Sequence, residues 1–155
     1  MRLTILFRNL LAATIFSSAG ASFAAEVKLR VQLAWGTDGE KPAGKDLTQL
    51  DPKSREKLRH LRWKNYWVVK TEETTVSSTA RRLTLSDKCA VDLKDIGNGH
   101  LEVRIFDLKP GAEPKFVKSI QHAIKALREG EYCVIAGDDR ANWENAWFVI
   151  ITAVK

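Results

Sequence analysis

Leu127-Arg128-Glu129-Gly130-Glu131-Tyr132, running into Cys133-Val134-Ile135-Ala136-Gly137, is the stretch whose reading decides the fold. A Leu-x-x-Gly-x-Tyr turn feeding an apolar strand has the pattern of a tyrosine corner, the arch that ties together the two sheets of a Greek-key sandwich. It predicts that the Tyr132 ring packs in the core and its hydroxyl bonds backbone a few residues upstream. The pattern bears on architecture and says almost nothing about activity.

The segments on either side carry strand signals. From Glu26 to Trp35 the chain alternates, with Val27, Leu29, Val31, Leu33 and Trp35 on one face and Lys28, Arg30 and Gln32 on the other. Period-two alternation is the mark of a strand with one buried side. Asp51-Pro52 predicts the start of a short helix, because Asp caps free amides and Pro loses nothing at the first helical position. Trp63 to Thr71, Arg81 to Ser86, Cys89 to Leu93, His100 to Leu108, Tyr132 to Ala136 and Trp147 to Val154 read as further strands, with Asn98-Gly99 as a hairpin turn. Residues 115–129 have helical spacing but would then swallow Leu127, so a strand from Phe116 to about Gln121 followed by the arch is expected. The sum is an all-β, Greek-key-like sandwich with one short helix; a partly open barrel is the alternative.

Residues 1–24 read as an address rather than part of the fold. Arg2 and Arg8 form a basic start, residues 9–25 carry no charge, and Ser22-Phe23-Ala24 offers small residues for cleavage before Ala25 or one residue later. The apolar run is too short and too diluted by Thr14, Ser17, Ser18 and Gly20 for a membrane span, which needs about 20 strongly apolar residues. A single β-rich domain, residues 25–155, is expected to remain and to act in the periplasm or outside the cell. Arg2 and Arg8 carry two of the +6 formal charges, leaving a modest +4 on interspersed basic and acidic residues. Cys89 and Cys133 would meet an oxidising compartment after export. The parity of Cys89 with Val91 and Leu93 turns it inward, whereas an inward Tyr132 turns Cys133 away, so a Cys89–Cys133 disulfide stays open.

Two patterns suggest binding. Trp-x-Asn-x-Trp occurs twice, as Trp63 to Trp67 and Trp143 to Trp147. On a strand the three named positions would share a face, where two rings and an amide either fill a core or receive a sugar. Trp143, beside the polar loop Asp138, Asp139, Asn142 and Glu144, is the tryptophan expected to be exposed, and this loop is the first candidate ligand site. Its oxygen donors do not follow the spacing of a calcium loop, so no metal is assigned. The second candidate surface is the basic helix expected over Lys53 to Arg62, with Arg55, Arg59 and Arg62 next to Trp63. His60, His100 and His122 lack ligand spacing, and the chain has no Gly-x-Ser-x-Gly elbow or phosphate loop. No catalytic residue and no cofactor is assigned.

Leu33-Ala34-Trp35-Gly36-Thr37, Asp51 to Leu58, Trp63 to Tyr66, Ser86 to Cys89, Gly137 to Asp139 and Ala146 to Val149, in that order, resemble small exported bacterial proteins of unknown function. The resemblance implies export and a β-rich domain and carries no activity. The expected role is a non-catalytic binding or accessory module of the cell envelope. Its partner would be an envelope component, glycan or protein, with no nucleic acid and no stable membrane span after processing. The alternatives are a small hydrolase acting on envelope polymers and a binder of acidic polymers through the basic helix.

Overall fold

The structure is a computed structural model that describes residues 26–138 and 145–155. Alternation is realised first in β1 (Val27–Thr37), which buries Val27, Leu29, Val31 and Leu33 and leaves Lys28 and Arg30 outside. The chain continues through β2 (Thr48–Gln49), α1 (Pro52–Lys57), β3 (Asn65–Val76), β4 (Arg81–Thr84), β5 (Cys89–Gly97) and β6 (His100–Asp107). It ends with β7 (Lys115–Ala123), α2 (Ile124–Arg128), β8 (Cys133–Asp138) and β9 (Ala146–Ala153).

Two antiparallel sheets result, one in the order β2-β3-β1-β9-β8 and the other a sequential meander, β4-β5-β6-β7. The expected all-β sandwich is therefore what the chain builds, and no barrel closes among the described residues. Leu29, Val31 and Leu33 of β1 meet Val91 and Leu93 of β5, Leu101 and Val103 of β6, and Val149 and Ile151 of β9 in one core between the sheets. Where side chains from two inner faces interdigitate, each buried aliphatic residue contributes about 1.5–3 kcal/mol.

A second core lies on the other face of the first sheet. Ala34, Tyr66, Phe148 and Ile150 point away from the sandwich and are covered by Leu50 and Leu58, which flank α1. Asp51 caps α1 by accepting from Ser54 N at 3.0 Å, and Pro52 opens it, as the sequence implied. The helix packs over this outer face of the sheet, not over one end of the sandwich. It stops at Lys57 because Leu58 is drawn down into the second core.

The tyrosine corner is not formed. The strand β7 runs to Ala123, and α2 takes the place of the arch, with Leu127 fully buried. Gly130, at φ +95°, stops the helix: its N–H donates to Leu127 O at 3.0 Å and Glu131 N–H donates to Ala126 O at 2.9 Å. That bond pair is the Schellman motif, which needs a residue in the left-handed region and therefore favours glycine. The strand β8 then starts with Cys133 and Ile135 facing the core, so Tyr132 faces the opposite way. Tyr132 joins the second core and its hydroxyl accepts from Ser54 Oγ of α1 at 3.3 Å. Among the described residues no helix is long and apolar enough to cross a membrane.

Candidate functional site

The register of the first sheet gathers the tryptophans. Trp35 of β1 is paired with Trp67 of β3 on one side and with Trp147 of β9 on the other. Cross-strand partners share a face, so the three indoles form one row on the face that carries the inter-sheet core. Trp35 and Trp147 stack at 6.2 Å between centroids, with 25° between planes. Trp147 packs against the core, whereas Trp35 and Trp67 are half-buried and, among the described residues, outside both core clusters. The Nε1 atoms of Trp35 and Trp67 are buried, with no hydrogen-bond acceptor among the described residues.

Two residues along the same face lies a polar row. Thr37 pairs with Asn65, and Asn145 immediately precedes Ala146, the partner of Gly36. Thr37 is 5% exposed and Asn145 6%. The repeated Asn-x-Trp thus stands on both strands flanking β1, at Asn65–Trp67 and Asn145–Trp147. The first tryptophan of the earlier repeat does not share this face. The strand β3 begins only at Asn65, and Trp63 packs edge-on against Phe148 on the outer side at 5.3 Å.

The turn after β1 forms the wall beside this row. Thr37 Oγ1 accepts from Gly39 N at 3.0 Å, Asp38 Oδ1 accepts from Lys64 N at 2.9 Å, and Asn65 Nδ2 donates to Gly39 O at 2.9 Å. These bonds fix the turn to the lead-in of β3 and leave Asp38 and Glu40 exposed. Arg62 comes from the segment after α1, with its guanidinium 5.1 Å from the centre of the Trp63 ring. Trp35, Thr37 and Asn145 below, with Asp38, Glu40 and Arg62 around them, bound a cleft of about 630 Å³. Pockets of about 300–1,000 Å³ with an apolar floor and a few convergent polar groups are the usual form of small-ligand sites. On the far side of the sheet, burial pushes the Tyr66 phenol above its ordinary value, and the Asp38 charge adds to the effect.

Of the first candidate site, Asp139, Asn142, Trp143 and Glu144 lie outside the described residues. Asp138 is described only by its backbone, as the last residue of β8. In the second candidate surface α1 ends at Lys57, so Arg55 lies on the helix and Arg59 and Arg62 follow it. Arg59 pairs with Glu56 at 3.0 Å, Arg55 reaches Gln49 Oε1 at 3.5 Å, and Arg62 belongs to the cleft. Cys89 and Cys133 are free thiols although both face the inter-sheet core. Burial pushes both up, Cys133 to about 11, with the Asp107 charge adding to the effect at Cys89. Among the described residues no three of His, Cys, Asp and Glu gather as a metal-holding group.

Trp35, Thr37, Asp38 and Glu40 were not assigned to a site from sequence. Their signal is local: an aromatic continuing the β1 alternation directly into an acidic glycine turn. Neither family models, curated proteins nor solved structures match the chain.

Proposed function

We propose that the chain is an exported, non-catalytic binding module of the cell envelope and that it takes its ligand in the cleft floored by Trp35. The observation that carries this reading is the convergence there of one indole and a guanidinium with two carboxylates on a turn pinned by three hydrogen bonds. The basic start and uncharged run of residues 1–25 support export. A hydrolase with two carboxylates keeps one of them protonated by burial. Asp38 and Glu40 are both exposed, which favours holding a ligand over cleaving it. Salt-driven capture of an acidic polymer is disfavoured because Arg59 is paired with Glu56 and two carboxylates line the same cleft as Arg62.

The test is retention of envelope components on the immobilised mature chain, compared with Glu40→Gln and Arg62→Ala. Both side chains are exposed, so the variants should keep the wild-type far-ultraviolet circular dichroism. A component held by the wild type and released by both variants supports the reading. Retention that ignores both substitutions removes it, and cleavage of an envelope polymer that requires Asp38 and Glu40 replaces it with the hydrolase.

A further inference from the structure

We propose that the ligand of this cleft is an uncharged saccharide, received as a short oligosaccharide; the assignment rests on the binding reading above. Three charged groups border the cleft, yet among the described residues none is ion-paired with another. Arg62 lies over Trp63 and, among the described residues, forms no salt bridge, and Asp38 spends one oxygen on the Lys64 amide. Carboxylates only accept hydrogen bonds and guanidinium only donates them. A ligand that satisfies both needs donors and acceptors close together, which is the character of a ring bearing adjacent hydroxyls.

Asp38, Glu40 and Arg62 are all exposed, so a single ionic group would meet a solvent-screened partner, whereas a ring of adjacent hydroxyls can donate to the carboxylates and accept from the guanidinium together. The Trp35 indole supplies the flat apolar surface for the C–H face of such a ring, and Thr37 and Asn145 continue the polar row beside it. A volume of about 630 Å³ leaves room beyond a single ring.

The experiment is a fluorescence titration of the mature protein with cellohexaose, N-acetylated chitohexaose and maltohexaose, against heparin and tetra-alanine as the polyanionic and zwitterionic alternatives. Each titration is run at low and at high salt. The expected result is an indole response to at least one saccharide, with affinity unchanged by salt. Glu40→Gln and Arg62→Ala should each weaken it by about tenfold, the loss of one charge-assisted hydrogen bond. Silence of all three saccharides overturns the assignment, as does a saccharide response that neither variant weakens. If heparin or tetra-alanine binds instead and both variants weaken it, the saccharide assignment falls and the binding module stands. If no probe binds and envelope retention also ignores both variants, the two fall together.

Discussion

Gly36 carries the closest approach among the described glycines. A β-carbon there would lie 2.7 Å from Phe148 Cε2 and 3.3 Å from both Trp63 Cγ and Tyr66 Cε1. Phe148 is fully buried and held edge-on by Trp63 at 5.3 Å and Tyr66 at 5.6 Å, so it has nowhere to retreat. Overpacking a filled core costs about 1–3 kcal/mol, and Gly36→Ala is expected to lower the unfolding free energy by that much, read as a lower urea midpoint at unchanged slope. A midpoint equal to wild type would show that the three rings do not close on the strand. Gly36 also stands between Trp35 and Thr37, so its fit fixes where the floor of the cleft lies. From sequence the same glycine reads as the end of the first strand, because Gly-Thr-Asp-Gly spells a turn. What selects glycine is the approach of Phe148, more than a hundred positions away, and of Trp63 and Tyr66 from β3 and the segment leading into it, which no local pattern records.

At the scale of elements, the strands were legible and the arch was not. Period-two alternation in β1 and β6 is set by each strand's own two faces, so a local pattern suffices to place it, and β9 is placed by its unbroken apolar run, buried on both faces. Leu-x-x-Gly-x-Tyr fits two structures equally well, a tyrosine corner and a Schellman stop. The choice falls to Cys133 and Ile135, which take the inward places in β8 and send Tyr132 outward to α1. The site was half legible for a related reason: the repeated Asn-x-Trp was visible, but Trp35 between the two copies is brought there only by sheet register. These placements rank two substitutions. Tyr132→Phe removes one hydroxyl bond of 3.3 Å and keeps the ring, at a cost of about 0.5–1.5 kcal/mol. Leu58→Ala empties a fully buried position beneath α1, at about 2–5 kcal/mol. Chemical denaturation of both variants checks the order, which a phenol locking the two sheets together would reverse.

Across the whole molecule, the core between the sheets joins them, and it contains a thiol from each. Cys89 comes from β5 of one sheet and Cys133 from β8 of the other. Among the described residues no neighbouring cation compensates a thiolate at either place, so burial holds both neutral. The Cys133 thiol rises from an ordinary 9.0 to about 11 on folding. A group whose pKa is raised in the folded state contributes stability that is complete below its unfolded value and fades as pH climbs through the folded one. For Cys133 the window is therefore pH 9.0 to about 11, and the difference is worth ~2–3 kcal/mol. Lysines and tyrosines titrate over the same range, so the informative quantity is a difference between proteins. Cys133→Ala starts lower, because it empties a buried position, but it should lose less stability than wild type between pH 8 and pH 11. The gap between the two denaturation midpoints should then narrow as pH rises, and Cys133 should resist alkylation in the native protein at neutral pH. Parallel loss in the two proteins would mean that the thiol ionises as readily folded as unfolded, and that the core does not exclude its charge.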